Sequence, residues 1–113
     1  MLHLKSNSEI EKIRDASRIA AEAMLRVKET VKVGCRTDEL DSVASKFIKS
    51  QGAEASALNY RGYPKSICVS TNNEIVHGIP GPRTLLNGDI ISVDIAVNKD
   101  GFHGDMNVTM LVG

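Results

Sequence analysis

The stretch VDIAVNKDGFHGD, residues 93–105, decides the fold. It reads as two β-strands joined at a turn, with one aspartate on each arm. Asp94 and Asp105 sit among Ile91, Val93, Ile95 and Val97, where a buried strand is expected to carry apolar side chains. An unpaired buried charge is costly enough that it takes a partner or coordinates a metal.

The register of the hairpin decides whether the two carboxylates meet. With a two-residue turn at Lys99-Asp100, Asn98 faces Gly101 and Asp94 falls directly opposite Asp105. Directly opposed side chains share a face, with Cβ atoms about 5 Å apart. Two ionised carboxylates at that distance repel unless a cation lies between them. A three-residue loop with Gly101 in a left-handed bulge shifts the register by one and sends the aspartates to opposite faces. A second bulge at Gly104 would restore the common face. The competing reading is an edge hairpin whose aspartates face water, since antiparallel sheets often have one wet side. Asp89 and Asp100 read as turn residues.

Upstream, SNSEIEKIRDASRIAAEAMLRVKETV (6–31) has the period of a long amphipathic helix, with Ile10, Ile13, Ala16, Ala20, Ala23, Met24 and Val27 on one face. Ser8 is the expected N-cap, with Glu11 closing a capping box. VKVGCRT breaks the pattern at Gly34, and Thr37 is expected to cap a second helix, DELDSVASKFIKSQG, ending at Gly52. Its apolar face is Leu40, Val43, Ala44, Phe47 and Ile48. After residue 53 the period changes to short β-branched runs, KSICVS, EIVHGI and DIISVDIAV, the last paired with FHGDMNVTMLV. The expectation is an α+β domain over residues 1–113, two helices packed on an antiparallel sheet.

Composition narrows the function classes. The 113 residues carry 14 basic and 14 acidic side chains, so there is no electrostatic footprint for nucleic acid or anionic lipid. No apolar run approaches the roughly 20 residues of a membrane span, and the N-terminus lacks the apolar core of a secretory signal. Cys35 and Cys68 form no CxxC pair. Cys68, within SICVS, reads first as a reduced, buried thiol. Together these point to a reducing, cytoplasmic-type compartment.

Other side chains are candidates for chemistry. His77 opens HGIPGP directly after an apolar run, suited to donate a hydrogen bond at the mouth of a site or to be satisfied by backbone at a strand end. His103 lies two residues before Asp105, so strand alternation points it to the same face. Tyr60 and Tyr63, in NYRGYPKS, either line a recognition pocket or cover the end of the core. No phosphate loop, nucleophile elbow or HExxH occurs.

YPKS-x-C-x-S-x-N, HGIP, GDI-x-x-x-D and DGFHGD, within GYPKSICVSTNNEIVHGIPGPRTLLNGDIISVDIAVNKDGFHGDMNVTMLVG, strongly resemble the first half of a type I methionine aminopeptidase. The likeness extends through SEIEKIRDASRIAAE and TDELDSVASKFI. The resemblance implies half of a pita-bread fold, two similar α+β halves around a dinuclear metal site, and an activity that removes the initiator methionine from new polypeptides. It implies Asp94 and Asp105 as metal ligands, His77 as a catalytic group contacting substrate, and Tyr60, Tyr63 and Cys68 along the methionine pocket. The cofactors implied are two divalent ions per complete site, with manganese, cobalt and iron all suited to carboxylate oxygen. Arg61, Asn73 and DMNVT depart from the bacterial pattern and would reshape the pocket mouth. The family's other ligands, one histidine and two glutamates, and its glutamate base belong to the half beyond Gly113.

Two functions follow from the resemblance. In one, the chain is a metal-dependent aminopeptidase completed by a second-half chain or by another copy of itself, acting on a peptide or nascent-chain N-terminus. In the other it is a non-catalytic half-fold that forms a homodimer as a structural or metal-binding module. That half-fold is expected to expose a sizeable apolar patch on the sheet.

Overall fold

The computed structural model describes residues 6–58, 62, 64–72 and 78–113. Its elements run α1 (Asn7–Thr30), α2 (Thr37–Ser50), β1 (Glu54–Ala55), β2 (Cys68–Thr71), β3 (Ile90–Lys99) and β4 (Phe102–Leu111). β3 is the spine of an antiparallel sheet. It pairs with β4 over its whole length, with β2 through Ile91–Asp94, and with β1 through Val97 and Asn98.

α1 begins two residues earlier than a cap at Ser8 implies. The cap is Ser6, whose hydroxyl accepts from the Glu9 N–H at 3.2 Å while the Ser6 N–H donates to the Glu9 carboxylate at 3.1 Å. The alternative box from Ser8 to Glu11 has the same sequence spacing, which is why pattern alone selects the wrong serine. The buried stripe is Ala16, Ile19, Ala20, Ala23, Met24 and Val27, while Ile10 at the free end of the helix stays exposed. α2 likewise starts with Arg36 as its cap, the Arg36 N–H donating to Glu39 at 3.3 Å. Thr37 is thereby released for another use. The helix closes in a Schellman motif: Gly52 (φ 69°) donates to the Lys49 carbonyl and Ala53 to that of Ile48.

The core lies between the helices and one face of the sheet. Ile91, Val93, Ile95 and Val97 of β3 are fully buried against Ile19, Ala20, Ala23, Leu40, Ala44 and Ile48. Alternation therefore turns Ser92, Asp94, Ala96 and Asn98 to the other face. Two positions lock α1 to the hairpin. Lys99 Nζ meets Asp15 Oδ2 at 2.9 Å, and Gly104 lies so close to α1 that a Cβ there would be 2.4 Å from the Ser17 nitrogen. Gly104 is in regular register opposite Val97, so the bulge that a three-residue loop would have needed there does not form. Its missing side chain serves helix–sheet contact instead.

Of the expected strands, KSICVS is realised as Cys68–Thr71, and the two arms of the hairpin form as read. Most of EIVHGI lies outside the described residues. Gly78 accepts from the Val69 N–H at 2.9 Å and donates to Ser70 Oγ at 3.3 Å, so the chain passes beside β2 there. β1, a two-residue strand, escaped the sequence pattern because nothing so short has a period.

Candidate functional site

The hairpin turn is Asp100-Gly101, with Lys99 opposite Phe102. Asp100 (φ 54°) and Gly101 (φ 82°) both occupy the left-handed region, the signature of a type I′ turn. The Asn98 carboxamide accepts from the Gly101 N–H at 3.0 Å. This register differs by two residues from direct opposition of the aspartates. Asp94 faces Asn107, and Asp105 faces Ala96. A shift of two preserves the face, so the aspartates are diagonal neighbours on one side of the sheet, roughly 7–8 Å apart by strand geometry. The turn fell one residue later than expected because Asp-Gly, rather than Lys-Asp, tolerates two successive positive φ angles.

The face that carries them has a definite order. At one end Ile90 and Leu111 are opposed and exposed. Next come Ser92 and Thr109, their hydroxyls 3.0 Å apart. Cys68, Asp94 and Asn107 form the third row across three strands, and Ala96 with Asp105 the fourth. Asn98 and His103 end the face, His103 Nδ1 lying 3.3 Å from Ser56 Oγ. Among the described residues of the strands this face is mostly polar, with one exposed apolar pair, Ile90 and Leu111, at its edge. Strand alternation explains this: the β-branched residues of β3 are spent on the helices.

Asp94 is half-buried and Asp105 exposed. His103 does share their face, as alternation required, and is exposed. Cys68 is half-buried and free; its neighbours Ile67 and Val69 take the core positions. The first reading of Cys68 as a core thiol is thus corrected, and the thiol stands in register with Asp94. Cys35 is the buried one, and burial together with nearby Glu39 pushes its thiol pKa up. Tyr60, Tyr63, His77, Arg61 and Asn73 lie outside the described residues.

Two carboxylates projecting from adjacent strands onto an open face fit part of the oxygen-donor set of a divalent cation. Among the described residues no group of three or more histidine, cysteine, aspartate or glutamate side chains assembles around a common point. The pair is therefore a partial donor set. No described helix is long and apolar enough to cross a membrane.

Two residues of α2 support the face from behind: Asp41, which the sequence pattern passed over, and Thr37, which it read as the helix cap. Asp41 of α2 is buried and accepts from the N–H groups of Ser66 and Ile67 at 2.7 and 3.0 Å, just before β2. Thr37 is buried one helical turn earlier and exchanges hydrogen bonds with Gly81. A signal existed: residues 37 and 41 fall on the stripe of 40, 44, 47 and 48, where an amphipathic helix should be apolar.

Residues 11–113 match the model of metallopeptidase family M24. The chain is 48% identical over 113 residues to methionine aminopeptidase 1 of Bacillus subtilis, covering 100% of this chain and 46% of that protein. The crystal structure of methionine aminopeptidase from Rickettsia prowazekii superposes with a TM-score of 0.93 at 38% identity, over 100% of this chain and 46% of that one. Prolidase from Pyrococcus furiosus, at 24% identity and a TM-score of 0.82 over 97% of this chain and 31% of that one, shares the fold. The chain spans about half the length of the curated relatives it matches. Its two helices on an antiparallel sheet are the α+β half of a pita-bread fold. With the aspartate face and the family match together, the chain belongs to metallopeptidase family M24.

Proposed function

We propose that this chain supplies the N-terminal half of a metal-dependent aminopeptidase that removes methionine from polypeptide N-termini in the cytoplasm. The observation that carries the reading is the placement of Asp94 and Asp105 on one open face, with Cys68 in register beside Asp94. Residues 1–113 would constitute one domain, completed by a second-half chain or a second copy.

In this reading Asp94 and Asp105 would hold divalent ions through their carboxylate oxygens. Bound there, such ions would polarise the scissile carbonyl and make water a better nucleophile. The protein's own contribution is positioning. β3 and β4, rigidly paired and locked to α1, fix the two carboxylates relative to each other. Cys68, half-buried beside Asp94, would border the methionine side chain. His77 would donate a hydrogen bond to the substrate near the scissile amide, and Tyr60 and Tyr63 would line the pocket.

The test is complementation. This chain, with manganese and a separately produced C-terminal half of the Bacillus subtilis relative, is expected to release methionine from a methionyl tripeptide. Asp94→Asn and Asp105→Asn should each abolish release. An assembled, manganese-loaded complex that leaves the tripeptide intact would overturn the reading.

A further inference from the structure

Two buried polar side chains on α2, one helical turn apart, hold the two segments that run up to the aspartate face. Thr37 is 3% exposed and Asp41 9%. Asp41 Oδ1 accepts from both Ser66 and Ile67, and the next residue is Cys68, opposite Asp94. Thr37 Oγ1 accepts from the Gly81 N–H at 2.9 Å and donates to the Gly81 carbonyl at 3.1 Å. Around it the Thr37 N–H donates to Arg83 and the Asp38 N–H to Gly81. The Gly78–Gly81 segment also touches β2, through Gly78 with Val69 and Ser70.

Neither side chain serves its own helix, since Glu39 already closes the first turn. A carboxylate on an apolar stripe is costly unless hydrogen-bonded, and Asp41 is held by two charge-assisted bonds to backbone outside its helix. The aspartate pair itself is fixed by different contacts, those of α1 with the hairpin. The two frames meet at the β2–β3 ladder: α1 holds the hairpin that carries the carboxylates, while α2 holds the start of β2 and the segment beside it.

We propose that Thr37 and Asp41 are positioning residues that set where β2, with Cys68, and the Gly78–Gly81 segment stand relative to Asp94, and so tune recognition of the methionine side chain. The recognition part rests on the aminopeptidase reading; the positioning part does not.

The experiment uses the full chain with Asp41→Asn, Asp41→Leu, Thr37→Val and Thr37→Ser. Three quantities are read: the rate of Cys68 labelling by an aromatic disulfide, amide hydrogen exchange at Ser66, Ile67 and Gly81, and manganese affinity. Cys35, buried and with a raised thiol pKa, reports whether the core stays closed. Loss of a hydrogen bond to a charged group makes Asp41→Leu speed Cys68 labelling and exchange at Ser66 and Ile67 by about tenfold or more. Manganese affinity and Cys35 protection should stay at wild-type levels. Asp41→Asn, which keeps an oxygen acceptor, should fall between and decides the matter if Asp41→Leu does not fold. Thr37→Val should speed exchange at Gly81, and Thr37→Ser should restore it. In the complemented enzyme, KM for the methionyl tripeptide should rise about tenfold with little change in kcat, as loss of ground-state positioning requires. Native labelling and exchange rates in a folded Asp41 variant would overturn the proposal. So would a parallel loss of manganese affinity and Cys35 protection, which would mark a purely structural role. An inactive wild-type complex sinks the aminopeptidase reading instead, and labelling and exchange still decide the positioning.

Discussion

Gly104 shows how much one absent methyl group can carry. A Cβ at that position would stand 2.4 to 2.6 Å from the Ser17 nitrogen, the Ser17 Cα and the Ala16 carbonyl carbon, all backbone atoms of α1. Backbone cannot swing aside as a side-chain tip can, so Gly104→Ala must push the helix off the sheet. Overpacking of this kind costs about 1–3 kcal/mol, and urea unfolding should show a loss at the upper end of that range. Gly101→Ala meets no atom within 4 Å, yet its φ of 82° is left-handed, which costs a Cβ-bearing residue about 1–2 kcal/mol. The two glycines of DGFHGD are therefore needed for different reasons. Asp89 makes a third residue-level case. Its carboxylate accepts from the Leu86 N–H at 2.9 Å and from Asn72 at 3.2 Å, and these bonds hold its pKa below the usual carboxylate value. Asp15 is lowered likewise by hydrogen bonds from Lys99 and Arg18. A carboxylate with a lowered folded pKa stabilises fully above its unfolded value near about pH 4 and loses that stabilisation as pH falls through the folded value. Stability measured in chelator should thus fall off on the acid side of about pH 4, and Asp89→Asn should make the fall shallower. An unchanged acid slope in that variant would exclude Asp89 as a source.

At the scale of elements, the β3–β4 hairpin was legible because alternation in both arms and a run of turn residues agree. Its face assignment also followed, although its exact pairing did not. The sequence NKDG admits several turn placements, and only the two successive positive φ angles at Asp100 and Gly101 select one. Asp100→Asn should raise stability slightly, since Asn-Gly is a strongly favoured pair for a type I′ turn. Asp100→Pro should lower stability by more than about 1 kcal/mol, because proline locks φ at about −65° where the turn needs 54°. Thermal unfolding of the two variants checks both signs. α1 was legible to within a residue at its C-terminal end and to within two at its start, where the wrong serine was read as the cap. α2 was legible as a helix, but its role was hidden. Thr37 and Asp41 make their bonds with residues 81, 66 and 67, contacts that no local period encodes. The only local trace is two polar residues on an apolar stripe.

The molecule as a whole presents a sheet whose inner face is closed by helices and whose outer face offers Asp94 and Asp105 beside an exposed pair, Ile90 and Leu111. Two copies meeting through that face about a two-fold axis would present the same patch from each side. The meeting would bring two Asp94 and two Asp105 side chains together. Four carboxylates in one place repel when empty and draw divalent cations when filled, so assembly and metal binding should be coupled. The Ile90–Leu111 pairs would add apolar contact at the rim but are too few to hold a dimer alone, since a stable interface buries on the order of 1,200–2,000 Å² in total. The expected result in analytical ultracentrifugation is a monomer in chelator that shifts towards dimer with manganese. Asp94→Asn should remain monomeric in both conditions. Binding that favours the folded state also raises its stability, by about 2.7 kcal/mol at a hundredfold excess over the dissociation constant, so the same titration should raise the melting temperature of the native chain and leave that of Asp94→Asn unmoved. A chain that stays monomeric at saturating manganese, yet still gains thermal stability, would separate the two effects: the carboxylates would hold metal within one copy, and completion of the site would fall to a different chain.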